Sequence, residues 1–119
     1  MVIYMLREEA FQYPLDSEGK HFVRICKRFG ALGLEDFVVV YFVAENGKNV
    51  PLVTYDLAHG FAHRDLRFLD AGNGERKVAL DGPDLWGIFE NVVADIHGNW
   101  GKYFEKYLLE KRRGLDESK

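Results

Sequence analysis

Asp36-Phe37-Val38-Val39-Val40-Tyr41-Phe42-Val43-Ala44 is the stretch that decides the fold. It is β-branched and aromatic with almost no polar residue, which suits a pleated strand. Period-two geometry sends Phe37, Val39, Tyr41 and Val43 to one face and Val38, Val40, Phe42 and Ala44 to the other, so both faces need cover. Downstream, Asn46-Gly47 is a hairpin turn signal, and residues 50–55 form the return arm. Pro51 confines that arm's start to a strand beginning or an edge. Upstream, residues 21–29 alternate, with Phe22, Arg24, Cys26 and Arg28 on one face and Val23, Ile25, Lys27 and Phe29 on the other. Gly30 and Gly33 separate these two strands.

Further outward, residues 2–15 contain Phe11-Gln12-Tyr13 before Pro14 and supply another short strand. Residues 64–69 and 75–80 flank the glycine-rich loop 70–74 as a second hairpin. After Asp81-Gly82-Pro83-Asp84 the period changes, and Leu85, Phe89, Val92, Ile96, Trp100, Tyr103 and Tyr107 recur at three- and four-residue steps. Asp81 or Gly82 is the expected cap and Pro83 the first helical residue. Gly98 and Gly101 around Trp100 mark a bend or a close contact. The fold class is α+β: an antiparallel sheet of about five or six strands, a meander of hairpins, packed against one long C-terminal helix. A single domain is expected over residues 1–115, with a frayed tail at 116–119. One helix covers one face only, so the second face of the 37–44 strand points to a homodimer or to a sheet curled over itself.

Composition narrows the function classes. The chain has 119 residues, 47% hydrophobic and 29% charged, as a globular domain does. Its net charge of −3 argues against a broad phosphate-binding surface. Lys102, Lys106, Lys111, Arg112 and Arg113 complement the C-terminal end of the helix dipole. No apolar run reaches the ~20 residues that span a bilayer, and Arg7-Glu8-Glu9 follows the first apolar residues without a cleavage site. The lone Cys26 makes an internal disulfide impossible and is expected to be a buried, inert thiol in a reducing, cytoplasmic setting.

One polar cluster has chemical potential: Tyr55-Asp56-Leu57-Ala58-His59-Gly60-Phe61-Ala62-His63-Arg64-Asp65. Histidine titrates near neutral pH, aspartate orients it, and arginine holds an anion. On an extended segment His59 and His63 are about 13 Å apart, too far for one metal ion, so neither metal nor cofactor is expected. His63 and Asp65 share a face about 6.6 Å apart, with Arg67 on that face and Arg64 on the other. Asp56 is placed to orient His59, and a bulge at Gly60 would reassign the faces. The competing reading is structural: Tyr55, Leu57 and Phe61 in the core, Gly60 at a bend, and histidines bonded to backbone there. His21 and His97 are expected to be partly exposed structural residues, and Trp86 and Trp100 packing residues.

The segment from Thr54-Tyr55-Asp56 through His59-Gly60-Phe61-Ala62-His63 resembles the central motif of a small, functionally uncharacterised prokaryotic protein family. The resemblance extends to the flanking hairpins and to Ala94-Asp95-Ile96-His97-Gly98-Asn99-Trp100. More distantly, Tyr55-Asp56 followed by histidines is similar to TumE-type toxins of toxin–antitoxin pairs. Both groups carry an arginine before the Tyr-Asp pair, where this chain has Thr54. Two functional expectations follow. One is metal-independent, RNase-like phosphodiester cleavage with His59, His63, Asp56, Asp65 and Tyr55 as catalytic residues and Arg64 and Arg67 binding substrate. The other is a non-catalytic homodimer or a module binding a protein or RNA partner, in which the motif is structural.

Overall fold

The computed structural model describes residues 7–117, apart from the side chains of His59, Asp116 and Glu117. Six strands follow one another: β1 (Arg7–Pro14), β2 (His21–Gly30), β3 (Gly33–Glu45), β4 (Lys48–Asp56), β5 (His63–Leu66) and β6 (Lys77–Ala79). They pair antiparallel in sequence order as one meander. A single turn of 3₁₀ helix, Ala58–Gly60, links β4 to β5, and helix α1 (Leu85–Glu117) closes the chain. The start of the segment expected to form β1, residues 2–6, lies outside the described residues. So does the end of the expected tail, while its residues 116 and 117 continue α1.

The β3–β4 turn is built as the sequence implies. Asn46 and Gly47 have φ of 51° and 76°, the left-handed pair that lets a two-residue turn follow the strand twist. Pro51 lies near the start of β4, before β5 begins to pair at Val53, so that side of the strand is an edge as the sequence implies; a bulge beside it leaves Leu52 as the extra residue between the Tyr41–Val53 and Phe42–Pro51 pairs. β5 and β6 are shorter than expected. Consecutive turns, Leu69 N to Leu66 O, Asn73 N to Asp70 O and Arg76 N to Asn73 O, take residues out of the ladder and lengthen the loop between them.

Helix α1 starts two residues later than the sequence implies, at Leu85 rather than Pro83. Asp84, rather than Asp81 or Gly82, is the cap: its Oδ1 accepts from Gly87 N at 2.7 Å and its carbonyl from Ile88 N at 3.0 Å. The predicted stripe is the buried one, with Ile96 at 0% and Val92 at 2% exposure. It lies over β3 and β4, where Phe37, Val39, Tyr41, Val43, Val53 and Tyr55 are all buried. Gly98 and Gly101 face open space within the continuous α1, so no close contact requires them. At the C-terminal half, Tyr107 and Lys111 both bond to Glu45 at the end of β3 and tie helix to sheet.

The two faces of β3 differ as one roofing helix dictates. Val39 and Tyr41 are fully covered, whereas Val38 is 36% exposed and Val40 and Phe42 are half-buried. Phe22 of β2 stacks on Phe42 across this open face, with ring centroids 5.3 Å apart. Cys26 lies half-buried on it rather than in the core. His21 is buried rather than partly exposed: its Nδ1 and the Tyr41 hydroxyl are 2.7 Å apart, with Trp100 and Phe104 on either side.

Two substitutions separate core from surface on α1. Ile96→Ala should cost about 2–5 kcal/mol in a urea unfolding curve, because it opens a cavity between helix and sheet. Gly98→Ala, with nothing within 4 Å of the added carbon, should instead stabilise the protein by up to about 1 kcal/mol.

Candidate functional site

The β4–β5 pair splits the polar motif. Tyr55 pairs with Arg64 and Asp56 with His63 in the ladder. Adjacent residues of a strand point to opposite faces, so Tyr55 and Arg64 go beneath α1 while Asp56 and His63 go to the open face. Gly60, with φ of 86°, ends the 3₁₀ turn and lets the chain reverse between the two strands.

Beneath the helix, Tyr55 meets a group from the far end of the chain. Its hydroxyl donates to Asp95 Oδ2 on α1, and Tyr103 donates to the same oxygen at 2.6 Å. Asn99 Nδ2 donates to Asp95 Oδ1 at 2.8 Å. Asp95, Asn99 and Tyr103 recur every four residues and therefore share one side of α1. Arg64 completes the network, its Nη1 donating to the Tyr103 hydroxyl at 3.1 Å. Its Nε is buried with no hydrogen-bond partner, and a buried donor left so costs about 1–3 kcal/mol. Tyr55, Arg64 and Asp95 also border a cavity of about 230 Å³, walled by Ile88 and Val92 and edged by Asp81 and Asn91.

The network holds one carboxylate between two hydroxyl donors and an amide donor. Burial first, and then the bond to Asp95, push the Tyr55 hydroxyl far above its ordinary range. Tyr103 is raised by the same two causes. Both phenols therefore stay protonated and donate to Asp95 throughout the physiological range.

On the open face, His63 Nε2 lies 3.1 Å from Asp56 Oδ1. His63 Nδ1 faces the Phe61 carbonyl at 3.3 Å, and Asp56 Oδ1 also accepts from Ala58 N at 3.1 Å. The histidine is buried at the mouth of the connecting turn and braces it. Asp56 thus meets His63; the side chain of His59, which the sequence reading paired with Asp56, lies outside the described residues. Asp65 is bonded by Arg76 Nε at 2.8 Å. Arg67 follows the end of β5 with an exposed side chain and is not brought to Asp65. Phe61, read as a possible core residue, is 55% exposed.

The residues missed by sequence reasoning are Asp95, Asn99 and Arg76. Asp95 and Asn99 border the apolar stripe at helical spacing, a signal that also describes a solvated helix flank. Nothing local marks Arg76 as the partner of Asp65 eleven positions away. Among the described residues, no three His, Cys, Asp or Glu side chains converge as a metal site requires, and no helix is long and apolar enough to cross a membrane.

Fold and site together define a two-layer α+β domain whose layers are joined by a buried Tyr-Asp-Tyr-Arg network. The chain belongs to the family described as a domain of unknown function, DUF7718, whose model matches residues 5–113. No curated protein and no solved structure matches it.

The raised tyrosines set the alkaline limit of the fold. Tyr13, Tyr41, Tyr55, Tyr103 and Tyr107 are all held above the ordinary value of 10 in the folded state, each chiefly by burial. The native state then keeps protons that the unfolded chain loses, so their contribution is intact below pH 10 and falls as pH rises above it. Tyrosinate absorbance from these five should accordingly appear together with loss of the circular-dichroism signal, not before it; the sixth tyrosine, Tyr4, lies outside the described residues. Asp95→Ala, which strands two phenols and an amide, should cost about 2–3 kcal/mol in urea unfolding.

Proposed function

We propose that this protein is a non-catalytic homodimeric module whose interface is the sheet face opposite α1. The observation that carries the proposal is the unequal cover of β3: Val39 and Tyr41 are fully buried, while Val38, Val40 and Phe42 stay open to solvent. An apolar face of this kind on a sheet's central strands marks an association surface. The division of the polar motif supports the same reading, because its tyrosine and one arginine are committed beneath the helix and its histidine braces a turn.

A second copy is the occupant that the composition of the face fits: Val38, Val40 and Phe42 form an apolar centre, the exposed Arg24 lies at its rim, and Asp65 is already answered by Arg76, so a self-complementary apolar contact covers it without stranding a charge. Five strands at about 4.8 Å spacing and six residues at about 3.3 Å give a projected face on the order of 500 Å². Accessible area exceeds projected area, which brings the face to the scale of a standard interface, roughly 600–1,000 Å² per partner.

Sedimentation equilibrium across a dilution series should show a monomer–dimer equilibrium. Val40→Asp should shift it toward monomer by at least about tenfold, and the exposed Arg24→Glu by a smaller factor, with native circular dichroism in both. A monomer at all concentrations would contradict the reading.

The Asp56–His63 pair favours a second reading, RNase-like phosphodiester cleavage on the open face. His63 would move the proton, Asp56 would orient it, and His59 and Arg67 would complete the site from the adjoining loops. In that case purified protein cleaves a short RNA without added metal, and His63→Ala removes the cleavage; inert wild-type protein eliminates this reading.

A further inference from the structure

We propose that His21 is an acid-sensitive latch between the sheet and the C-terminal half of α1, holding the helix down while neutral and releasing it when protonated. The geometry that carries this is a histidine closed in by a turn, a neighbouring strand and the helix. His21 is the first residue of β2 and only 7% exposed. Its amide donates to Asp16 Oδ1 in the β1–β2 turn at 3.0 Å, and its carbonyl accepts from Leu15 N at 2.7 Å, so its backbone is held on both sides. Nδ1 lies 2.7 Å from the Tyr41 hydroxyl of β3. The rings of Trp100 and Phe104, one turn apart on α1, close over it with centroids 4.6 and 4.5 Å away.

A neutral ring suits this box better than a charged one. Tyr41 is fully buried and its hydroxyl is held above the ordinary range by that burial, so it keeps its proton and donates to the lone pair of Nδ1. Protonation takes the lone pair away, the Tyr41 hydroxyl must turn its own hydrogen elsewhere, and a cation is left where water barely reaches. The charges that face the ring come from the β1–β2 turn. Asp16 and Glu18 favour the imidazolium, whereas Lys20, whose ammonium also rests on Phe104, opposes it. Burial is the largest influence and sets the ring below its ordinary 6.5. The folded chain therefore binds this proton less readily than the unfolded one, so the latch is intact above pH 6.5 and is lost as pH falls below it. The other tie of this half of α1 persists through the same window, because Lys111 and then Tyr107 hold Glu45 below the ordinary carboxylate range.

The test follows the ring and the helix separately by NMR on the full chain. In a ¹H–¹³C titration the His21 ring should protonate below the ordinary 6.5. Amide hydrogen exchange, corrected for its intrinsic pH dependence, should quicken at least about threefold over residues 100–107 between about pH 7.5 and about pH 5, while residues 88–96 keep their protection. In His21→Asn, whose amide has no proton to gain, exchange over 100–107 should no longer respond to acid in that range. The proposal is overturned by a wild-type His21 ring that titrates at or above 6.5, by protection of residues 100–107 that is unchanged where His21 is protonated, or by protection lost along the whole helix at once. The same acid response in folded His21→Asn would overturn it too. His21 lies on the α1 side of the sheet, so none of these results depends on whether the open face pairs with a second copy.

Discussion

A single helix can roof one face of a sheet, and β3 is apolar on both. From that mismatch come the chief properties of this protein. The residues of β3 that turn toward α1 are driven out of water by the apolar stripe from Leu85 to Tyr107, and the alternate residues are left open. The meander gives no second layer, since every connection, the longer β5–β6 loop included, returns the chain to the neighbouring strand of the same sheet. The open face is therefore a product of topology, and it is the surface on which the proposed self-association rests.

The same two-layer arrangement explains why Asp95 matters. A helix packed only through apolar contacts has freedom to slide and rotate over a sheet. Asp95 removes it by taking hydroxyl donors from Tyr55 on β4 and Tyr103 on its own helix, while Arg64 of β5 holds Tyr103 from the other side. Lys111 and Tyr107 repeat the device at the far end through Glu45. These polar ties are directional where apolar packing is not, and so they set the register between the layers.

Much of the architecture was legible along the chain because it rests on local periods. The two-residue alternation of the 37–44 segment, the Asn46-Gly47 turn and the three- and four-residue steps from Leu85 onward each involve neighbours in sequence. What could not be read involves partners brought together by folding. Tyr55 and Asp95 are forty residues apart, and the bond between them exists only because α1 lies across β4. Pro51 does lie near the start of β4 on a side that β5 leaves unpaired, but the bulge at Leu52 beside it arises from pairing across strands and has no local signal. The polar motif itself divided for a reason the sequence contains: Tyr55 and Asp56 are adjacent on a strand, and adjacent strand residues cannot share a face. The pairing of Asp56 with His63 then followed from register, which the 3₁₀ turn at Ala58–Gly60 sets.

The central claim, that two copies meet through the open sheet face, is tested most directly by isotope-filtered NOE spectroscopy on a mixture of labelled and unlabelled chains. The account predicts intermolecular cross-peaks from the methyl groups of Val38 and Val40 to groups on the partner's β4 and β5. Intermolecular cross-peaks confined to the exposed leucines of α1, or none at all in a concentrated sample, would contradict it.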